Sequence, residues 1–213
     1  MKLYYRPDCP FCWKVRIFCH EAEITLQEVA VESGRKHPDV TRLNPNDTVP
    51  VLVDGDLVLW ESAAIIDYLA DSFPQSTLMA GSPAQRAIIR QIHCYSDNRV
   101  GKALFPYIKQ VRDSEKHPPA NDLEQATSLA WIKIQEILSE QLGRKVFFGA
   151  GFSVAECALI PRFTLALGYG LGLDDKFRNL KSWFGRCFER PSFSATLPSI
   201  FPDIDEMIKS EVL

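Results

Sequence analysis

Strand-like apolar runs occupy only the first third of this chain, and that asymmetry limits its fold more than any other feature. Short β runs are read at residues 2–5, 25–31, 51–53 and 57–60, and no convincing strand pattern follows Ser82. The pattern predicts a mixed sheet covered by helices, followed by an all-α body. Between the first two runs, Val15, Phe18, Cys19 and Ala22 recur at the spacing of one buried helix face, so residues from about 10 to 23 read as a crossover helix. The resulting β-α-β unit is expected to be right-handed. Asp54-Gly55-Asp56 then joins two apolar runs as a hairpin turn, which makes the last two strands antiparallel. A helix from Glu61 to about Ser72 stops ahead of Pro74, because the residue before a proline is pushed out of the helical region.

Residues 73–82 are rich in Pro, Gly and Ser, and the domain boundary is placed there: a sheet-bearing domain over 1–75, a linker over 76–82 and an all-α domain over 83–213. Helical stretches are expected at about 83–111, 122–142, 154–171 and 175–190. Turn-rich segments such as His117-Pro118-Pro119-Ala120-Asn121 and Gly149-Ala150-Gly151 separate them. A chain of 213 residues can bury its core without a disulfide or metal staple. Its 24 basic and 27 acidic residues leave a net charge of −3, with no basic run dense enough for nucleic acid or an anionic membrane. Neither partner is expected. The first residues enter a strand without a signal-peptide apolar core, and no apolar run nears the ~18 residues of a membrane span, which points to a cytoplasmic protein.

Six cysteines in such a length are too sparse for a disulfide scaffold. Cys19, Cys94, Cys157 and Cys187 lie in apolar periodic stretches and read as small buried hydrophobes. Cys9-Pro10-Phe11-Cys12 is different, because it follows a strand and opens a helix inside a β-α-β unit. A thiol at a helix N-terminus meets unpaired backbone N–H groups and the positive end of the macrodipole, which favour the nucleophilic thiolate. Pro10 suits the first helical position, and Cys9 is expected at the exposed tip. Cys12 lies one turn inward, three residues before Val15 on the buried face, as the less accessible thiol that could resolve a disulfide on Cys9. The competing readings are a chance pair of thiols and half a zinc site. Zinc would want a second pair at ligand spacing, which His20, His37, Cys157 and Cys187 do not form, so no metal is expected.

Two further features are weaker alone. Val49-Pro50 precedes the third strand, and since proline lacks an N–H it leaves the backbone of Val49 free to pair with an extended ligand. An ordinary strand-opening proline is the plainer reading, because cis bonds occur at only about 5–6% of X-Pro links in folded proteins. Glu61-Ser62 follows the fourth strand and opens a helix, where both residue types simply favour a helix N-terminus. The functional reading is that the same N–H groups and the Ser62 hydroxyl hold a ligand carboxylate while Glu61 pairs with an ammonium.

In this order and at these separations, Cys9-Pro10-Phe11-Cys12, Val49-Pro50 and Glu61-Ser62 resemble the cytosolic glutathione transferase superfamily, and the resemblance spans essentially the whole chain. It implies a thioredoxin-like first domain of β-α-β-α-β-β-α order, a cis bond before Pro50, a C-terminal helical bundle domain and a homodimer. Carried over, Cys9 is the catalytic thiol with Cys12 beside it, Phe11 lies in the glutathione-binding turn, and Val49 pairs its backbone with the cysteinyl part of glutathione. Glu61 and Ser62 hold the γ-glutamyl end, and Lys36 matches a basic residue that meets the glycyl carboxylate. Ser153-Val154-Ala155-Glu156 resembles the capping box that opens a helix of the family's second domain, with Glu156 where Asp is usual. It also works from first principles, since Ser153 and Glu156 can satisfy each other's backbone N–H groups.

A cysteine at the active position resembles the omega, beta and glutaredoxin-like members, with Cys12 leaning toward glutaredoxin-like and chloride-intracellular-channel-like relatives. Chemically, a cysteine thiolate can form a mixed disulfide with glutathione, which a hydroxyl cannot. Thiol transfer or deglutathionylation, with glutathione and a disulfide or small molecule as substrates, is therefore the leading expectation. Conjugation of an electrophile is the second, with Tyr95, Arg99, Phe105 and Tyr107 as acceptor-pocket residues or core. A non-catalytic interaction protein on the same fold is the third.

Overall fold

Strand β1 (Lys2–Tyr5) buries Leu3 and Tyr4 on opposite faces, so it needs cover on both sides and takes an inner position in the sheet. The strand order is β2-β1-β3-β4. β2 (Gln27–Ala30) runs parallel to β1, with Gln27 opposite Lys2, while β3 (Val51–Asp54) pairs antiparallel to β1 with Leu52 opposite Leu3. β4 (Leu57–Trp60) returns along β3 through a turn whose Gly55, at φ +58°, occupies the left-handed region glycine favours. Leu3 and Leu52 join the main core, whereas Tyr4 and Val51 meet Val31 and Val40 in a smaller cluster on the other face.

The computed structural model describes residues 1–113, 121–200 and 203–212. Helix α1 (Pro10–Glu21) crosses from β1 to β2, turning Val15, Ile17, Phe18 and Cys19 inward. A short helix, α2 (Pro38–Leu43), follows, its first turn held by His37 Nδ1 accepting from the Asp39 N–H at 3.2 Å. It supplies the helix between β2 and β3 that the family resemblance implied and that six residues are too few to reveal by periodicity. The last element of this part is α3 (Ser62–Ser72).

Beyond it, α4 (Pro83–Tyr95) runs through a π-helical segment (Ser96–Val100) into α5 (Gly101–Arg112), where one helix had been expected over 83–111. α6 (Asn121–Leu142) follows, and His117–Pro118–Pro119–Ala120 of the expected turn lie outside the described residues. Then come α7 (Val154–Gly168), α8 (Arg178–Phe188), α9 (Pro191–Thr196) and α10 (Ile204–Val212), the last two unanticipated. α7 is buried all round from Val154 to Leu167 and packs against α1, so it forms the spine joining the sheet to the bundle. A second tie joins α1 to α9: Trp13 Nε1 donates to Thr196 Oγ1 at 2.8 Å, and Arg190 Nε, at the N-cap of α9, donates to Glu21 Oε1 at 2.7 Å. One expectation fails here. Cys94 is exposed, because α4 turns Ile89, Ile92 and His93 inward and the next residue rotates out. No helix among the described residues is long and apolar enough to cross a membrane.

The start of α7 carries the expected capping box. Ser153 Oγ accepts from the Ala155 N–H at 3.2 Å, and Glu156 Oε2 accepts from the Ser153 N–H at 2.9 Å. Ser153→Ala is expected to lower stability by about 0.5–2 kcal/mol, the usual cost of an N-cap, with ligand affinity nearly intact. An unchanged denaturant midpoint would contradict this.

Candidate active site

Cys9 is the N-cap of α1 and Pro10 its first residue, so the thiol stands where the helix leaves backbone N–H groups unpaired. It is not an exposed tip. Cys9 is only 8% exposed, and Cys12 is fully buried, because the helical body closes over this end of α1. The two thiols diverge chemically. Hydrogen bonding from Cys12 pulls the Cys9 pKa from 9.0 down to about 7 against the opposing effect of burial, aided by the Cys12 and Phe11 N–H groups and the Arg6 charge. Burial, then the neighbouring Cys9, pushes Cys12 well above the usual thiol range.

Cys9 lies at the junction of two cavities. The larger, about 720 Å³, runs between the sheet and the helices and is lined by Cys9, Phe11, Glu61 and Ser62 together with Asp97, Gly101, Phe105 and Arg162. The smaller, about 330 Å³, brings Cys9 beside Lys36, Thr48 and Val49. The Val49–Pro50 peptide is cis, and the Val49 carbonyl lies 4.0 Å from Cys9 Sγ, oriented to accept from the thiol. Buried Asn44 steadies that loop by donating to the Thr48 carbonyl at 2.8 Å. Pro50 itself is buried and lines neither cavity. Lys36 stays exposed and pairs with Asp47 at 2.7 Å. Glu61 occupies the N-cap of α3 at φ +68°, and its side chain makes no cap hydrogen bond. Of Tyr95, Arg99, Phe105 and Tyr107, only Phe105 lines the large cavity. Tyr107 is core instead, donating to the Tyr169 carbonyl at 3.4 Å.

Several residues of this site escaped the sequence reading. Asp8 bridges the two halves of the molecule, accepting from Arg6 Nε and from Arg112 Nη1, each at 2.9 Å. Deeper lies an ionic cluster assembled from α1, the continuous run of α4 into the π-helical segment, and α7. Lys14 Nζ donates to Asp97 Oδ2 at 2.6 Å and lies 2.7 Å from His93 Nε2, while Arg162 Nη2 stands 3.6 Å from Asp97 Oδ1. Burial alone would raise the Asp97 pKa, but His93 and Lys14 hold it down at about 2. The π-helical segment presents Asp97 to the cleft, a placement in which such segments recur, and Gly101, the first residue of α5, follows it there. The one available signal was Arg162 itself, an ionisable residue inside an apolar run. Among the described residues, no group of three or more His, Cys, Asp or Glu side chains is arranged to hold a metal ion.

The family models for the glutathione S-transferase N-terminal and C-terminal domains match residues 3–77 and 95–191. Among similar proteins, a stringent starvation protein A homolog of Histophilus somni is 30% identical, covering 90% of this chain and 91% of its own. Glutathione S-transferase GstB of Escherichia coli K12 is likewise 30% identical, over 84% and 88%. In three dimensions, FzlA from C. crescentus aligns with a TM-score of 0.87 at 21% identity, covering 97% of this chain and 98% of that one. A glutathione S-transferase from Rhodospirillum rubrum F11 gives 0.84 at 22%, covering 96% and 99%. At such identities the solved structures speak for the fold alone. A thioredoxin-like sheet domain followed by a helical domain, matched by both domain models, places this chain in the glutathione transferase superfamily, to which it belongs.

Proposed function

We propose that this chain is a cysteine-type glutathione transferase whose main activity is thiol transfer, with Cys9 as nucleophile. The observation that carries the reading is the placement of Cys9, at the N-cap of α1, on the wall of both cavities and beside Cys12, whose hydrogen bond pulls the Cys9 pKa down while Cys12 itself is pushed up. A thiol pulled down toward ambient pH is near the optimum for attack on a disulfide. The thiolate attacks the glutathione sulfur of a mixed disulfide. A Cys9–glutathione S–S bond forms, the original S–S bond breaks, and the departing thiolate leaves with the electron pair and takes a proton from water. A second glutathione thiolate then attacks the adduct, forming glutathione disulfide and returning Cys9 as thiolate.

In this reading the tripeptide lies across both cavities. Its γ-glutamyl end meets Glu61 and Ser62, its cysteinyl backbone meets Val49 ahead of cis-Pro50, and its glycyl carboxylate meets Lys36 once that lysine leaves Asp47. Phe11 forms part of the wall on the larger cavity. The assembled form is a homodimer, as the superfamily implies. Ser62→Ala or Glu61→Gln is expected to weaken glutathione binding by ~1.5–3 kcal/mol, the size of one charged hydrogen bond, with folding less affected. Calorimetric titration of the folded variants checks this, and unchanged affinity removes the residue from the site.

The reading is tested by offering the protein glutathione with a mixed disulfide, dehydroascorbate and a chloronitrobenzene side by side. Preference for the disulfide supports it; preference for the aromatic electrophile replaces it with conjugation. A second reading, a non-catalytic interaction protein on this fold, is favoured by the relatives that carry the name stringent starvation protein A. It predicts no turnover of any of the three acceptors.

A further inference from the structure

Arg162 is buried, 6% exposed, yet it lines the large cavity that also holds Cys9. Two neighbours pack closely against its guanidinium. The Phe11 ring centroid lies 4.5 Å from Cζ. Gly101 also lies close, and an added β-carbon there would come to 3.0 Å from Cζ and Nη2, so a larger residue would press on the guanidinium. The charge is incompletely matched. Its nearest anion is Asp97, at 3.6 Å, beyond hydrogen-bonding distance, and that carboxylate is already bonded to Lys14 at 2.6 Å. Asp97 Oδ1, the oxygen facing Arg162, has no hydrogen-bond partner among the described residues.

A purely structural ion pair would close these distances, because a buried cation without hydrogen bonds is costly. The guanidinium instead keeps a planar fork of donors, packed against Phe11, in the wall of the cleft. Such a fork matches a carboxylate. We propose that Arg162 is an anion-recognition residue for the second substrate, so that the cleft selects acceptors bearing a carboxylate whose reactive atom is directed at Cys9. This rests on the reading of Cys9 as the reacting sulfur.

The test compares alkylation of Cys9 by iodoacetate and by iodoacetamide, which share the reacting carbon and differ in charge. In both, the thiolate forms an S–C bond as the C–I bond breaks and iodide leaves with the electron pair. Taking the rate ratio within one protein cancels the thiolate fraction of Cys9, and the same ratio for free glutathione is the reference. The wild type is expected to favour iodoacetate by roughly tenfold over that reference, the size of one charged hydrogen bond. Arg162→Met should lose the preference and Arg162→Lys keep part of it. A wild-type ratio equal to the reference, or a preference that survives in Arg162→Met, overturns the proposal.

Benzoate and benzamide binding to the wild-type protein, followed by calorimetry, gives an answer that needs neither a reactive Cys9 nor a folded variant. Benzoate should bind at least roughly tenfold tighter, by the same hydrogen-bond magnitude, and should still bind when S-methylglutathione is saturating. Equal affinities, or competition with S-methylglutathione, would overturn the assignment to a second substrate. If Cys9 reacts with neither reagent while benzoate binds as expected, the thiol-transfer reading fails and the anion subsite stands.

Discussion

Cys9→Ser is expected to abolish glutathione-dependent thiol transfer, whereas Cys12→Ser keeps much of it. Under the proposed mechanism a second glutathione releases the adduct from Cys9, so Cys12 is needed only where an internal Cys9–Cys12 bridge forms. Reduction of protein disulfides through that bridge is lost in both variants. Mass spectrometry should find the glutathione adduct on Cys9, and an adduct on Cys12 would reverse the assignment. The pH dependence follows from the Cys9 pKa of about 7: the rate of alkylation by iodoacetamide should rise through that pH and level off above it. Cys12→Ala removes the largest lowering influence, so the midpoint should move up by about one unit, which is ~1.4 kcal/mol and the size of one hydrogen bond. A midpoint that does not move would show that the helix terminus and Arg6, not Cys12, set the reactivity. Stability carries the same signature. Because the folded pKa lies below the unfolded one, the contribution of Cys9 is fully present above pH 9 and lost as pH falls through about 7.

The largest effect on stability should come from Glu156→Ala, a loss of about 3–5 kcal/mol. This carboxylate is fully buried between α7 and α8. Oε2 accepts from the Ser153 N–H and, at 2.6 Å, from Ser153 Oγ, while Oε1 accepts from the Phe148 N–H at 2.7 Å and from Trp183 Nε1 at 3.3 Å. Truncation strands those donors in a dry core, which costs more than losing the Ser153 hydroxyl alone. Glu156→Asp, one methylene shorter, keeps the capping box within reach and gives up the bonds to Phe148 and Trp183, so it should fall between the two. A chemical-denaturation series over Ser153→Ala, Glu156→Asp and Glu156→Ala checks the order. If Glu156→Ala were no worse than Ser153→Ala, the carboxylate would be only a helix cap.

What the residues determined unaided was everything set by interactions within a turn or two of chain. The hairpin at Gly55, the crossover helix that starts at Pro10, the reciprocal cap between Ser153 and Glu156 and the switch to an all-helical second part all depend on periodicity, turn chemistry and caps. Even the placement of Cys9 at a helix N-terminus is local. Its burial is not, and neither is the outward turn of Cys94 or the break of one long helix at the π-helical segment. These depend on which surfaces meet in space. The ionic cluster shows the distinction most clearly: Lys14 meets His93 and Asp97 across separations of 79 and 83 residues, and Arg162 arrives on a third element. A charge on one helix is attractive, repulsive or irrelevant to another according to the distance and solvent between them, and only the packing of α7 against both α1 and the α4–α5 rod supplied those.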